Sequence, residues 1–177
     1  MPDCTIWYMN QVVQTKGAVV SRLHVEAETV VAAPPATVWA LVSDARRYPE
    51  WGPWREGRYQ RAGDESERGA GAVQVLTSAR RTYGRRSVSV ERIVVAEPER
   101  RLVYEVIGGV PVRNYRGEVR LTPADGGTRV RWSADWDSTL AGRLVHRTLR
   151  VFYPEMLAAL AGAAARAASS KHSAGAS

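Results

Sequence analysis

The sequence predicts an α+β fold in which a seven-stranded antiparallel sheet wraps around one long C-terminal helix. Seven stretches alternate apolar and polar residues with the period of a strand, and turn residues separate most of them. A helical pattern with an alanine-rich second half follows the last stretch. Because a sheet with one apolar face needs a cover, we expect the helix to lie against that face.

The first strand and a short helical insertion open the fold. Residues 23–31 alternate apolar and polar side chains, which predicts a half-buried strand. Pro34 and Pro35 suit the first turn of a helix, and apolar residues then recur with the spacing of a buried helical stripe. We therefore expect a short helix directly after strand one.

An aromatic stretch, RRYPEWGPW at residues 46–54, follows this helix. It lacks the periodicity of a helix or a strand, and Pro49 and Pro53 interrupt backbone hydrogen bonding, so it predicts a loop. Large rings gain little where they face water. Trp51 and Trp54 are therefore expected to cover an apolar interior.

The rest of the sheet comes from six more strands. Five of them lie near residues 56–62, 72–78, 85–95, 101–108 and 112–123. The sequence ADGG at residues 124–127 predicts a tight hairpin into the last strand, because Asp-Gly readily takes positive φ values. That last strand, residues 127–137, places Trp132 and Trp136 on its apolar face.

The C-terminal helix is expected to run from about Ser138, which suits an N-cap, to about Ala168. Its expected buried stripe consists of Leu140, Leu144, Val151 and Phe152. The chain then divides into three parts: an N-terminal extension, residues 1–22, whose order the sequence leaves open; one domain over residues 23–168; and a polar tail, residues 169–177, expected to be disordered.

Length, charge and cysteine content narrow the class of protein. A chain of 177 residues suits one domain with volume left for a cavity, and Cys4 alone provides neither an intrachain disulfide nor a cysteine-ligated metal site. Neither a secretory signal nor a membrane span is recognisable, so we expect a cytoplasmic protein. The net charge of +7 comes from 25 basic and 18 acidic residues, with arginine pairs scattered along the chain. We expect no specific nucleic-acid binding, no metal and no cofactor, while a homodimer is left open.

Two stretches resemble a known superfamily. Residues 30–51, VVAAPPATVWALVSDARRYPEW, and the later hairpin GGTRVRW at residues 126–132 are similar to the START-like, helix-grip superfamily, and the similarity covers Leu23 to Ala168. Within it, the chain is most similar to bacterial members labelled polyketide cyclase/dehydrase-like (SRPBCC). The resemblance implies an elongated apolar cavity between sheet and helix, with the aromatic loop at one end. It implies no single activity, because the superfamily includes cyclases, lipid carriers and hormone binders.

Strand alternation assigns the side chains that face the interior. Tyr104 lies on the apolar face of strand five, and Tyr115 lies on that of strand six with Gly117, a small residue that indicates room for a ligand. Arg113 is the odd charge on this face, and it either reaches the rim or meets an anionic group of a ligand. The ligand-binding candidates are Trp51, Trp54, Tyr104, Arg113, Tyr115, Trp132, Trp136 and Phe152.

Three functions are compatible with the sequence. The first is binding of a hydrophobic small molecule, polyketide-derived, polycyclic or lipid-like, in an internal cavity. The second is a polyketide cyclase or dehydratase in which Tyr104, Arg113 and Tyr115 are polar participants, with no complete catalytic set assigned. The third and most distant is an interaction module that binds nucleic acid or anionic lipid through its basic surface.

Overall fold

The structure is a computed structural model that describes residues 21–82 and 85–174, and it has the predicted α+β architecture. The strands are β1 Arg22–Val31, β2 Trp54–Arg61, β3 Val73–Thr82, β4 Arg85–Glu97, β5 Arg101–Gly108, β6 Arg116–Ala124 and β7 Gly127–Asp137. The helices are α1 Pro35–Val42, α2 Tyr48–Trp51 and α3 Leu140–Ala174. Residues 1–20 of the predicted extension and residues 175–177 of the predicted tail lie outside the described residues.

The strands form one seven-stranded antiparallel sheet in the order β1-β7-β6-β5-β4-β3-β2. Consecutive strands from β2 to β7 are neighbours, and β1 pairs with β7 at the opposite edge from β2. The predicted ADGG hairpin is confirmed, since Ala124 pairs with Gly127 and Gly126 takes a φ of +79°. Helix α3 lies against β1 and β7 and also contacts α1 and α2. This is the helix-grip arrangement that the sequence predicts.

The core lies between the inner face of the sheet and α3. Trp132 and Trp136 of β7 are both buried on that face, as the strand pattern predicts. The outer face of the same strand carries arginines, and Arg129 and Arg131 pair with carboxylates of β1. Apolar burial on one side and ion pairs on the other therefore fix the register of β7 against β1.

The aromatic stretch contains one helical turn, so its prediction as an entirely irregular loop is wrong. Helix α2 spans Tyr48–Trp51, and the amide of Gly52 donates to the carbonyl of Tyr48 at 2.9 Å. Pro49 lies in the first turn, where a helix has no partner for a backbone N–H and proline is tolerated. The proline that argued against a helix therefore starts one.

Helix α3 is longer than the sequence predicts. It continues to Ala174, so residues 169–174, expected to belong to a disordered tail, are helical. The hydroxyls of Ser169 and Ser170 donate to backbone carbonyls of the preceding turn. These bonds satisfy the serine side chains within the helix, which explains why a polar composition does not end it here.

The buried face of α3 also differs from the prediction. Leu140, Leu144 and Val151 are 87%, 67% and 62% exposed, although they were expected to form the buried stripe. The stripe that faces the core consists of Tyr153, Met156, Leu157, Leu160 and Ala164. Both sets have helical spacing, so spacing alone does not decide which face meets the sheet.

Candidate functional site

A cavity of about 580 Å³ opens between the sheet and the first half of α3. This volume lies within the usual range for small-molecule sites. Its walls combine aliphatic side chains with seven aromatic rings. The rings belong to Tyr48, Trp54, Tyr104, Tyr115, Trp132, Phe152 and Tyr153. A smaller hollow of about 230 Å³ near Glu97 and Arg100 has no aromatic wall.

Five of the eight candidate residues line this cavity. They are Trp54, Tyr104, Tyr115, Trp132 and Phe152. The rings of Trp54 and Phe152 meet edge to face, with centroids 5.7 Å apart. They connect the start of β2 to α3 and form one aromatic wall of the opening.

Trp51 and Trp136 lie behind the cavity wall. The indole N–H of Trp51 donates to the carbonyl of Leu41 at 3.2 Å, and its ring contacts that of Tyr48. Trp136 is fully buried, stacks on Tyr115 with ring centroids 5.5 Å apart, and does not border the cavity. Both rings therefore support the residues that line the site.

Arg113 lies outside the predicted inner face. Strand β6 begins at Arg116, so Arg113 belongs to the preceding loop, where it is exposed and does not line the cavity. Its backbone carbonyl accepts a hydrogen bond from the amide of Asp137. The predicted strand was extended too far toward the N-terminus. Tyr115 points inward although it precedes β6, but the alternation does not continue from Tyr115 back to Arg113.

Three tyrosines form a buried hydroxyl cluster within the cavity. The hydroxyls of Tyr115 and Tyr153 lie 2.6 Å apart, and the indole N–H of Trp132 donates to the hydroxyl of Tyr104 at 2.9 Å. Burial raises the pKa of Tyr104 to about 12 and raises the pKa values of Tyr115 and Tyr153 well above the ordinary value of a tyrosine. All three hydroxyls therefore keep their protons at neutral pH and can donate hydrogen bonds.

Gly117 gives the cluster its position. A Cβ at this residue would lie 2.6 Å from both Cε1 and Oη of Tyr104. The space that the sequence assigned to a ligand is thus filled by the Tyr104 ring, and the cavity begins beyond it. A glycine on β6 is needed because the tyrosine of the neighbouring strand β5 folds across the backbone.

Glu91 is a buried carboxyl group that borders the same cavity. It is 7% exposed, and its carboxyl oxygens accept hydrogen bonds from the amide of Gln74 and the hydroxyl of Ser89, each at 2.8 Å. Within the part of the chain that the structure describes, Glu91 has no ion pair. Burial raises the pKa of Glu91, although the two hydrogen bonds oppose this shift.

Sequence reasoning did not identify Glu91, Tyr48 or Tyr153. Tyr48 belongs to the aromatic stretch that was singled out for its tryptophans, and Tyr153 follows Phe152 on α3. The signal for Glu91 is its register with Ser89, since the two residues are two positions apart along β4 and both face inward. The alternation of β4 did not show which face is buried, because either choice of face places a charged residue, Glu91 or Arg92, in the interior.

Neither His24 nor His146 lines the cavity. His146 on α3 lies 3.0 Å from the carbonyl of His24, and its ring lies 5.9 Å from that of Trp136. His24 contacts Asp135 on the exposed side of β1. Over residues 21–82 and 85–174, no group of three or more acidic, histidine or cysteine side chains could hold a metal ion.

Arg80 is the one cationic side chain on the cavity lining among the described residues. It is 76% exposed at the mouth, 3.8 Å from the carboxylate of Glu155. Among the described side chains, the interior of the cavity therefore offers hydroxyl protons and one carboxyl group, but no positive charge. Such a site can accept the carbonyl or hydroxyl oxygen of an uncharged ligand, whereas an anionic group would find no counter-ion.

None of the helices in the described part of the chain has both the length and the apolar character required to cross a membrane.

Solved structures with the same fold include the Zhui aromatase/cyclase from a Streptomyces species, at 21% identity and a TM-score of 0.63, covering 84% of this chain and 94% of that chain. A protein from Thermus thermophilus matches at 21% identity and a TM-score of 0.65, covering 82% and 99% of the two chains. These likenesses concern the fold.

Comparisons of sequence extend the relationship beyond the fold. MLP-like protein 423 from Arabidopsis thaliana is 30% identical over 127 residues, which is 66% of this chain and 76% of that protein. The family model described as polyketide cyclase / dehydrase and lipid transport matches residues 22–168, from the start of β1 through most of α3. The chain therefore belongs to the polyketide cyclase/dehydrase and lipid transport family.

Proposed function

We propose that the protein binds an uncharged, polycyclic or polyketide-derived molecule in the cavity between the sheet and α3. Family membership supports hydrophobic ligand binding in general, and the local chemistry supports this narrower class. The observation that carries the proposal is the combination of aromatic walls with a buried polar cluster that contains no cation. A flat ring system fits such walls, because its faces can contact several aromatic side chains at once.

The polar cluster determines which end of the ligand enters first. The three tyrosine hydroxyls of the cluster carry three protons, and the bond between Tyr115 and Tyr153 uses one of them, so the cluster can donate a further proton to a ligand. A ketone or phenol oxygen of the ligand would accept it. A ligand without any oxygen would leave this donor buried without a partner, which is costly.

The same cluster disfavours a fatty-acid carboxylate. Glu91 provides no positive charge, and an anion beside it would either repel its carboxylate or depend on its protonated form. Arg80, the cation of the lining, is at the mouth and already contacts Glu155. The proposal therefore places uncharged oxygenated ring systems ahead of free fatty acids.

Displacement of the uncharged dye Nile red tests this function. Anthrone carries a ketone on three fused rings, anthracene is the corresponding hydrocarbon, and laurate is a fatty acid of comparable apolar area. We expect anthrone to displace the dye at a concentration about fivefold lower than anthracene, since one hydrogen bond contributes about 1 kcal/mol. Laurate should displace it less well than anthrone at neutral pH.

A pair of tyrosine variants provides the matched control. Tyr153→Phe removes a hydroxyl from the cluster, whereas Tyr59→Phe removes one that bonds Ala45 and Ser43 outside the cavity. The preference for anthrone over anthracene should fall in Tyr153→Phe and persist in Tyr59→Phe. Equal displacement by all three compounds in the wild-type protein would contradict the proposal.

Glu91 favours one alternative, an enzyme that cyclises or dehydrates a poly-β-ketone. A carboxyl group with a raised pKa, held by two hydrogen bonds beside an apolar cavity, suits a general base that removes a proton next to a ketone. The tyrosine hydroxyls would then stabilise the enolate oxygen. Incubation with a polyketide synthase tests this alternative: wild-type protein should change the ratio of cyclised products, and Glu91→Gln should not.

A further inference from the structure

The mouth of the cavity has an apolar rim that faces solvent. Leu140, Leu144 and Val151 lie along the outward side of α3, and all three are more than half exposed. Leu144 and Val151 also border the cavity, together with Val110 and Pro111 of the loop between β5 and β6. Exposed leucine and valine side chains grouped around an opening require an explanation, because they are costly to hydrate.

Three arginines beside this rim have no carboxylate partner among the described residues. On α3, Arg147 and Arg150 are exposed, and neither makes an ion pair with any residue in the described part of the chain. Arg113, in the loop that precedes β6, is likewise exposed and without a carboxylate partner there. Between Leu140 and Glu155, the helix has three arginines and a single acidic residue.

The arginines on the outer face of the sheet are different. Most of them contact carboxylates of neighbouring strands, as Arg92 and Arg116 do with Glu105 at 2.8 and 3.2 Å. Arg129 pairs with Glu28 at 2.7 Å. Ion pairs therefore neutralise much of the sheet surface, and the uncompensated part of the +7 charge includes the arginines near the mouth.

We propose that this face docks on the surface of an anionic lipid bilayer, with Leu140, Leu144 and Val151 inserted among the acyl chains. Arginines at the edge of an inserted apolar patch contact lipid phosphates, which is the usual charge pattern of an interfacial amphipathic helix. Docking would place the opening of the cavity against the apolar layer. A hydrophobic ligand could then pass between bilayer and cavity with little exposure to water.

Co-sedimentation with vesicles tests the proposal. Binding should be strong to vesicles of phosphatidylcholine and phosphatidylserine in a ratio of about three to one, and weak to phosphatidylcholine alone. Replacing both arginines in Arg147→Gln, Arg150→Gln should lower the partition coefficient about 30-fold, since each arginine near an anionic surface contributes about a factor of five. Leu140→Ser, Leu144→Ser should weaken binding about tenfold or more through the lost apolar insertion.

A charge-matched control separates docking from general attraction. The variant Arg120→Gln, Arg129→Gln removes two arginines from the outer face of the sheet, and it should bind vesicles within about threefold of wild type. Nile red binding without vesicles should be unchanged in Arg147→Gln, Arg150→Gln, because neither side chain lines the cavity. This readout distinguishes failure of docking from failure of the proposed ligand site.

Three results would overturn the proposal. The first is equal loss of binding in the two arginine double variants, and the second is no preference of the wild-type protein for anionic vesicles. The third is a dimer in sedimentation velocity that Leu140→Ser, Leu144→Ser converts to a monomer, since this face would then be covered by a second copy of the chain.

Discussion

Gly117→Ala should displace Tyr104 and thereby reduce both stability and ligand binding. The new methyl group would lie 2.6 Å from Cε1 and Oη of the tyrosine, closer than Cβ atoms approach their neighbours in proteins. The ring cannot move without breaking the hydrogen bond from the indole N–H of Trp132, which is 2.9 Å long. A displaced ring would enter the cavity that it now borders.

The magnitude follows from three contributions. Overpacking in a well-packed core costs about 1–3 kcal/mol, and loss of the hydrogen bond to Tyr104 costs about 1 kcal/mol. Replacing a glycine inside a strand returns about 0.5–1 kcal/mol of conformational entropy. The free energy of unfolding should therefore fall by about 2 kcal/mol, and Nile red should bind more weakly than to the wild-type protein.

Chemical denaturation in a double-mutant cycle measures this effect. In a Tyr104→Leu background the clashing atoms are absent, so adding Gly117→Ala should cost less than about 1 kcal/mol. The coupling energy between the two positions then reports the contact directly. Equal losses for Gly117→Ala with and without Tyr104→Leu would refute the reasoning, because the cost would not come from the tyrosine ring.

Further predictions concern the aromatic and acidic residues of the site. Burial raises the pKa of Glu91 above its unfolded value, so its contribution to stability is present at low pH and is lost as pH rises through the raised pKa. Glu91→Gln lacks this loss, so denaturation at a series of pH values should show the wild-type protein falling relative to the variant; parallel curves would contradict the burial effect. Tyr115→Phe should lower the free energy of unfolding by about 1–2 kcal/mol, because the Tyr153 hydroxyl loses the hydrogen bond to Tyr115. The double variant Tyr115→Phe, Tyr153→Phe should lose less stability than the sum of the two single variants. Trp51→Ala should destabilise the protein by about 3 kcal/mol as a buried ring with a bonded indole. Trp54→Ala should lower the free energy of unfolding by less than Trp51→Ala does but should weaken dye binding, because Trp54 is half-buried at the cavity and its indole N–H has no partner among the described residues. Equal losses of stability in the two variants, with unchanged dye affinity in Trp54→Ala, would show that both rings are only core.

Local signals in the sequence were sufficient for most of the fold. The bounds of β7 follow from strict alternation after a turn with two glycines, and α1 follows from its leading prolines. Each of these patterns has one physical solution, because apolar side chains at that spacing can be buried on one face only. The architecture, a sheet covered by α3, then follows from the need to bury those faces.

The candidate site was less accessible to sequence reasoning. In β4 the pairing with β5 shifts at Val90 and Glu91 and again between Ile93 and Val95, so simple alternation does not indicate which residues face inward. Leu140 and Leu144 were assigned to the core because they are apolar, but only tertiary contacts determine which face of α3 meets the sheet. Arg113 was placed on the inner face by extending β6 into a loop.

The most direct test of the ligand site is a crystal structure of the protein with anthrone. We predict one anthrone molecule between the sheet and α3, its rings against Trp132 and Phe152, and its ketone oxygen within hydrogen-bonding distance of the Tyr115–Tyr153 pair or of protonated Glu91. A cavity closed by side chains, with anthrone absent or bound only at the surface, would contradict a binding function. Anthrone seated with its ketone toward the mouth would contradict the role of the buried polar cluster.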